Sequence, residues 1–211
     1  MKLKEAMITR RSVRRFKADA LSAGQVEELI EMAVTAPSAS NKQPWRFFVT
    51  DERSIIDRMA EEVQQAVDRI VQHVPSDYME ILQAYGSYFV RFRAAPVVLV
   101  AAYRELVVLS NLVDDEIGQE DTRRIVEMEA QSGLASTAMA VQNLLLYAHS
   151  INLGASCMSG PLVAEDKIRS IMGIPESWRI AVLVPIGYPA EDPEPVGRKP
   201  TAAVTRWVRG E

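Results

Sequence analysis

Six consecutive apolar residues, Val97-Val98-Leu99-Val100-Ala101-Ala102, follow Pro96 and constrain the fold more than any other feature of the chain. A strand with one wet face alternates polar and apolar residues. This run does not, so it reads as a strand buried on both faces. Three more strands are expected. Trp45–Thr50 is rich in aromatic and β-branched residues, 154–158 is short, and 179–186 is another buried apolar run. Helical patterns lie between them. Leu3–Thr9 reads as a short helix with Leu3, Met7 and Ala6 turned inward, and Ser22 is placed to cap a helix whose stripe is Val26, Leu29, Ile30, Ala33 and Val34. Further helical spacing covers 55–72, more loosely 78–92, then 124–150 and 163–172. The prolines and polar residues of 37–44 make a loop, and the proline-rich tail 189–200 is expected to be extended and held by contacts. Interleaved helices and strands fit α+β or mixed α/β.

The 211 residues suit one substantial domain, 1–211, and are few for two. The least readable stretch is 106–124, where Asp114, Asp115, Glu116 and Gly118 suggest a lid-like connection; a lid or insert is expected at about 73–124. A net charge of -4 gives no global reason to expect nucleic acid or an anionic membrane as partner. A lone cysteine, Cys157, excludes an intrachain disulfide and fits a reducing compartment. The charged N-terminus lacks the apolar run of a signal peptide, and the most apolar helix is short of the roughly 20 residues of a membrane span. A soluble, cytoplasmic protein is the expectation.

Arg10-Arg11-Ser12-Val13-Arg14-Arg15-Phe16 sets four guanidinium groups around one hydroxyl. A phosphate monoester needs several donors in fixed geometry, and arginine forks match its oxygens. The same residues also suit a solvated surface paired with carboxylates, and spacing alone leaves both readings open. In the loop, Ser38, Ser40, Asn41 and Gln43 offer groups for a ligand or for their own backbone. Gln142 and Asn143 interrupt an apolar helix, so their amides need partners, within the chain or outside it. Trp45 begins a strand and reads as core.

Five blocks, taken in order, resemble the nitroreductase family: Arg10-Arg11-Ser12-Val13-Arg14 with Phe16; Ala36-Pro37-Ser38-Ala39-Ser40-Asn41-Lys42-Gln43-Pro44-Trp45; Ala140-Val141-Gln142-Asn143-Leu144-Leu145-Leu146; Gly154-Ala155-Ser156-Cys157-Met158-Ser159-Gly160; and Pro185-Ile186-Gly187-Tyr188-Pro189, with Arg198-Lys199-Pro200 beyond. The resemblance spans almost the whole chain. It implies an α+β (mixed) fold with a central, mainly antiparallel β-sheet flanked by helices, and a long buried helix at a homodimer interface that binds flavin mononucleotide (FMN). Carried over, Arg10, Ser12 and Arg198 would hold the phosphate, with Arg11 and Lys199 nearby. Arg14 would face the pyrimidine edge, where a cation stabilises the reduced ring. Pro37, Ser38, Ser40, Asn41 and Gln43 would come from the partner subunit. Gln142 would stand at the interface or cofactor, and Ser159 and Gly160 beside flavin N5.

No G-x-G-x-x-G fingerprint or P-loop is present, so a nicotinamide would bind transiently over the flavin. His73, His149 and Cys157 make no convincing metal site, and none is expected. His149, on a mostly apolar helix, reads as a satisfied core residue. Cys157 lacks a partner for nucleophilic work, and Ser156 lacks the glycine of a nucleophile elbow. No side chain is expected to be catalytic in its own right. The implied activity is ping-pong electron transfer from NADH or NADPH through FMN to a small electrophilic acceptor, a nitroaromatic or quinone. The alternatives are a specialised relative (a reductive dehalogenase, an enoyl-type reductase or a flavin-processing enzyme) and a non-enzymatic FMN-storage protein.

Overall fold

The computed structural model describes residues 1–105 and 108–210, so Leu106 and Val107, within the expected lid, lie outside the described residues. The strands are β1 (Trp45–Thr50), β2 (Val97–Tyr103), β3 (Gly154–Ala155) and β4 (Arg179–Gly187). They form one sheet in the order β1-β2-β4-β3, with every neighbouring pair antiparallel. The apolar run is therefore an inner strand. Val97, Leu99 and Ala101 enter one buried cluster, while Val98, Val100 and Ala102 enter another on the opposite face. Each face is closed by helices, which is why no position of the run tolerates a polar residue.

The first face is covered by α2 (Ala23–Ala33) and α5 (Gln119–Ser150). Ser22 caps α2 in a reciprocal box: its hydroxyl accepts from the Gln25 amide at 3.2 Å, and the Gln25 side chain accepts from the Ser22 amide at 3.0 Å. Leu29 and Ala33 are fully buried, whereas Val34 is exposed, because it is the C-cap and the helical register ends there. The second face is covered by α3 (Arg53–Val71) and α6 (Glu165–Met172). On α3, Ile56, Met59, Ala60, Val63, Ala66, Val67 and Val71 repeat at helical spacing and are all buried.

Several boundaries differ from the sequence reading. The looser helix of 78–92 is α4 (Ser76–Gly86), followed by a separate 3-10 turn at Arg91–Ala94. The third strand keeps only two residues, with Met158 making an isolated bridge to Leu183. The long helix begins five residues early, at Gln119, and is buried along one stripe only, from Glu129 through Gly133, Ala140 and Leu144 to Ala148. Val126, Met128, Leu134 and Met139 on its other sides are exposed.

Within 106–124, single turns occupy Leu109–Asn111 and Asp115–Ile117. The buried Glu129 carboxylate fastens this segment to α5, accepting from the amides of Val108 (2.7 Å) and Leu109 (2.6 Å) and from the Ser110 hydroxyl (2.5 Å).

The first helix, α1 (Leu3–Thr9), exists as expected, but only Ala6 is buried; Leu3 and Met7 are 67% and 61% exposed. Seven residues offer one narrow face to α5, and the small Ala6 lies on that face, so the larger side chains project outward. No helix among the described residues is long and apolar enough to cross a membrane.

Candidate functional site

After α1 the chain leaves helical geometry at Arg10 and runs extended beside β3. Ser12 forms a parallel bridge with Ala155, the Val13 amide donates to the Ala155 carbonyl at 3.1 Å, and Phe16 bridges Pro189. Backbone bonds thus fix the basic segment to the sheet edge and to the start of the tail. Val13 is buried against Gly154, at which a Cβ would lie 2.7 Å from Val13 Cγ1 and 2.8 Å from its Cβ. The glycine is what lets the segment approach so closely.

The tail folds back over this segment. Desolvation holds the Arg10 guanidinium below its usual pKa, and the positive charges of Arg198 and Arg11 depress it further. Arg198 therefore stands in the same electrostatic neighbourhood as Arg10, though the two are far apart in sequence. Among the described residues, no carboxylate forms an ion pair with Arg10, Arg11, Arg14 or Arg198. Half-buried like charges without counter-charge are unfavourable alone and suit a dianion. Arg11 is partly spent, donating to the carbonyls of Ile8 (2.8 Å) and Arg10 (2.9 Å). Lys199 is exposed.

His149 belongs to this cluster rather than to the core. It is half-buried at the C-terminal turn of α5, and its Nε2 lies 2.7 Å from the Thr9 hydroxyl. Desolvation lowers its pKa, with Arg10 and Arg11 adding to the effect. Thr9, Arg10, Arg11, His149 and Asn152 line a cavity of about 160 Å³, together with the carboxylates Glu191 and Asp192. Nothing in the local sequence joins Thr9 to a residue 140 positions away.

A second residue without a sequence signal is Glu191. Its carboxylate accepts from the amides of Arg14 (2.6 Å) and Arg15 (3.0 Å) and from Arg15 Nε (3.0 Å). Desolvation pushes this carboxylate up, but the Arg14 amide and Arg15 outweigh it and hold its pKa below the ordinary value. Glu191 occupies Arg15 and leaves the Arg14 side chain free, with one long bond (3.4 Å) to the Ser12 carbonyl.

The loop after α2 lies elsewhere. Ser40, Asn41 and Gln43 all adopt positive φ (49°, 53° and 47°). The Ser38 hydroxyl accepts from the Gln43 amide at 3.0 Å, and Gln43 Nε2 donates to Asn41 at 3.3 Å. Pro37, Ser40, Asn41 and Gln43 are exposed and Ser38 is half-buried. The Ala39 amide donates to Ser136 of α5 at 3.3 Å, whereas the arginine cluster sits against His149. Thirteen residues at about 1.5 Å of rise separate those contacts by roughly 20 Å along the helix. One chain does not close the loop onto its own cluster. Gln142 is exposed, and Asn143 finds its partner within the chain, donating to the Thr35 hydroxyl at 3.2 Å.

Ser159 is exposed and Gly160 half-buried. The space that Gly160 leaves is filled by the Phe89 ring, whose Cδ1 would lie 2.2 Å from an added Cβ. Ser156, just before them, is fully buried and its hydroxyl has no partner. Cys157 is exposed; desolvation raises its thiol pKa and Arg10 opposes that.

Comparison with known proteins bears on the family and the fold of the chain. The model of the "Nitroreductase family" matches residues 7–188. An NADH dehydrogenase from Thermus thermophilus is 30% identical over 97% of this chain and 95% of its own length. An iodotyrosine deiodinase from Haliscomenobacter hydrossis is 28% identical over 86% of this chain and 77% of its own. A nitroreductase crystallised with bound FMN, from Desulfitobacterium hafniense DCB-2, superposes with a TM-score of 0.73 at 19% identity, covering 99% of this chain and all of the other. With a four-stranded antiparallel sheet between helices and matches that run nearly end to end, the chain belongs to the nitroreductase family of oxidoreductases.

Proposed function

We propose that this protein is an FMN-dependent oxidoreductase that takes electrons from NADH or NADPH, and that it works as a homodimer. The observation that carries the cofactor assignment is the half-buried charge of Arg10 and Arg11, joined by the exposed Arg198, with none of the three in an ion pair among the described residues. In this reading Arg10, Ser12 and Arg198 hold the phosphate, with Arg11 and Lys199 adding positive potential and His149 beside them. Arg14, which Glu191 fixes through its backbone, faces the pyrimidine edge. Ser159 and Gly160 lie along the ring.

The loop residues Pro37, Ser38, Ser40, Asn41 and Gln43 complete the site of a second copy, with Gln142 at the interface. Two features support that placement: the loop stands about 20 Å from its own cluster along α5, and α5 leaves Val126, Met128, Leu134 and Met139 exposed on more than one side. Residues 1–211 act as one FMN-binding unit, with the segments of 73–124 on either side of the buried strand β2 as its lid. When bound, FMN would pass two electrons to an electrophilic acceptor such as a nitroaromatic or quinone. The chain's task is to bind, orient and electrostatically bias it.

The iodotyrosine deiodinase relative favours one second reading, reductive removal of halide from a halogenated aromatic. The test is the absorbance spectrum of protein incubated with FMN, then anaerobic addition of NADH or NADPH and of the acceptor, with sedimentation to measure mass. Flavin bleaching by a nicotinamide and reoxidation by a quinone are expected, on a dimer. A colourless protein would overturn the cofactor assignment. Bound flavin that neither nicotinamide reduces would make the protein an FMN store. Halide release from an iodophenol would select the second reading.

A further inference from the structure

Beside the arginine cluster, and separate from its phosphate end, is an open groove of about 750 Å³ between Arg14 and Arg15 on one wall and the 90–94 turn on the other. Four guanidinium groups line it, against one carboxylate, Glu191. Two of the four are neutralised. Arg15 pairs with Glu191 at 3.0 Å, and Arg93 pairs with Asp57 at 2.7 Å outside the groove. Arg14 and Arg91 have no carboxylate partner among the described residues. Arg91 is nevertheless held in place: its guanidinium lies 3.7 Å from the centre of the Tyr88 ring. Stacking fixes the plane of the fork and leaves its donors free.

Aromatic residues precede the turn in the chain and pack away from the groove's lining. Phe89 packs edge-on against Tyr85, with ring centres 5.0 Å apart at 76°, and also fills the space beside Gly160. A groove with two guanidinium groups free of carboxylate partners is matched to a ligand with a negative end. We propose that it is a subsite for a small acceptor bearing an anionic oxygen group, of which a carboxylate is the simplest. Arg91 takes the anion. This deepens the oxidoreductase reading and rests on it for the word acceptor, since Arg14 and Gly160 bound the proposed flavin ring. The groove's own binding chemistry does not depend on it.

The probes are benzoate and benzamide, which share shape and differ in charge, titrated into FMN-incubated protein by calorimetry and, in parallel, by perturbation of the flavin spectrum. Benzoate is expected to bind about tenfold or more tightly than benzamide, with the advantage shrinking as ionic strength rises. Arg91→Gln is expected to erase that advantage while leaving benzamide unchanged, and Arg91→Lys to restore part of it. Equal calorimetric affinity for the two probes, or equal loss of both in Arg91→Gln, would overturn the subsite. A missing flavin spectrum alongside a preserved preference for benzoate would instead remove the cofactor reading and leave the subsite standing.

Discussion

Replacing Gly154 by alanine tests whether the basic segment is positioned by packing against the sheet edge. The new Cβ would lie 2.7 Å from Val13 Cγ1, 2.8 Å from Val13 Cβ and 3.1 Å from Val13 Cγ2. Carbon atoms in contact rest about 3.5–4.0 Å apart. A rotamer change could move the two methyl groups, but the Val13 Cβ is fixed by its backbone. The backbone of 12–14 must therefore retreat, stretching the bond from the Val13 amide to Ala155 and displacing Ser12 and Arg14.

Overpacking of this kind costs about 1–3 kcal/mol, and for a chain of this size each kcal/mol lowers Tm by about 2–4 °C. Urea unfolding would measure the loss, and FMN titration would report the displaced donors as weaker binding. In a Val13→Ala background the penalty should shrink without vanishing, because two of the three close contacts go and the Cβ contact stays. A Gly154→Ala protein as stable as the parent with unchanged FMN affinity would refute the reasoning. Strict additivity with Val13→Ala would refute it as well.

Two further outcomes are expected. Arg10→Ala should weaken FMN binding by about 1.5–3 kcal/mol, or roughly 10- to 150-fold, by removing a charge-assisted contact; unchanged affinity in fluorescence titration would sink the phosphate assignment. Glu129 is held below the ordinary carboxylate pKa by the Ser110 hydroxyl and by the amides of Val108, Leu109 and Ser110, against desolvation. Its tether is therefore complete above the unfolded carboxylate pKa and is lost as pH falls through the depressed folded value. Hydrogen exchange at 108–118 should accelerate over that acid range, and Glu129→Gln should show fast exchange already at neutral pH. Equal protection in both proteins at pH 7 would remove the tether.

Local chemistry made some of the fold legible. The stiff, apolar composition of Trp45–Thr50 and of the run after Pro96 left few alternatives to strands, and both are present. Ser22 and Gln25 carry the whole of their capping box within four residues. The errors fell where burial depends on docking. Leu3 and Met7 have inward spacing, yet α1 meets α5 through Ala6. His149 sits among core residues in sequence but borders the arginine cluster, because the helix ends there. At Gly160, which the resemblance sets beside a flavin, the sequence carries no sign that the missing side chain also makes room for the Phe89 ring.

The sequence by itself determined that β2 would be an inner strand, since six apolar residues in a row cannot face water. It also determined that four arginines would gather about Ser12, since they are neighbours in the chain. Only the tertiary structure decided which of those charges are free. Glu191 takes Arg15, carbonyls of its own turn take part of Arg11, and Arg198 returns from the tail to stand beside Arg10. The physical reason is range. Strand burial and capping are settled by interactions over a few residues, whereas the balance of charge at a point depends on every segment that packing brings to it.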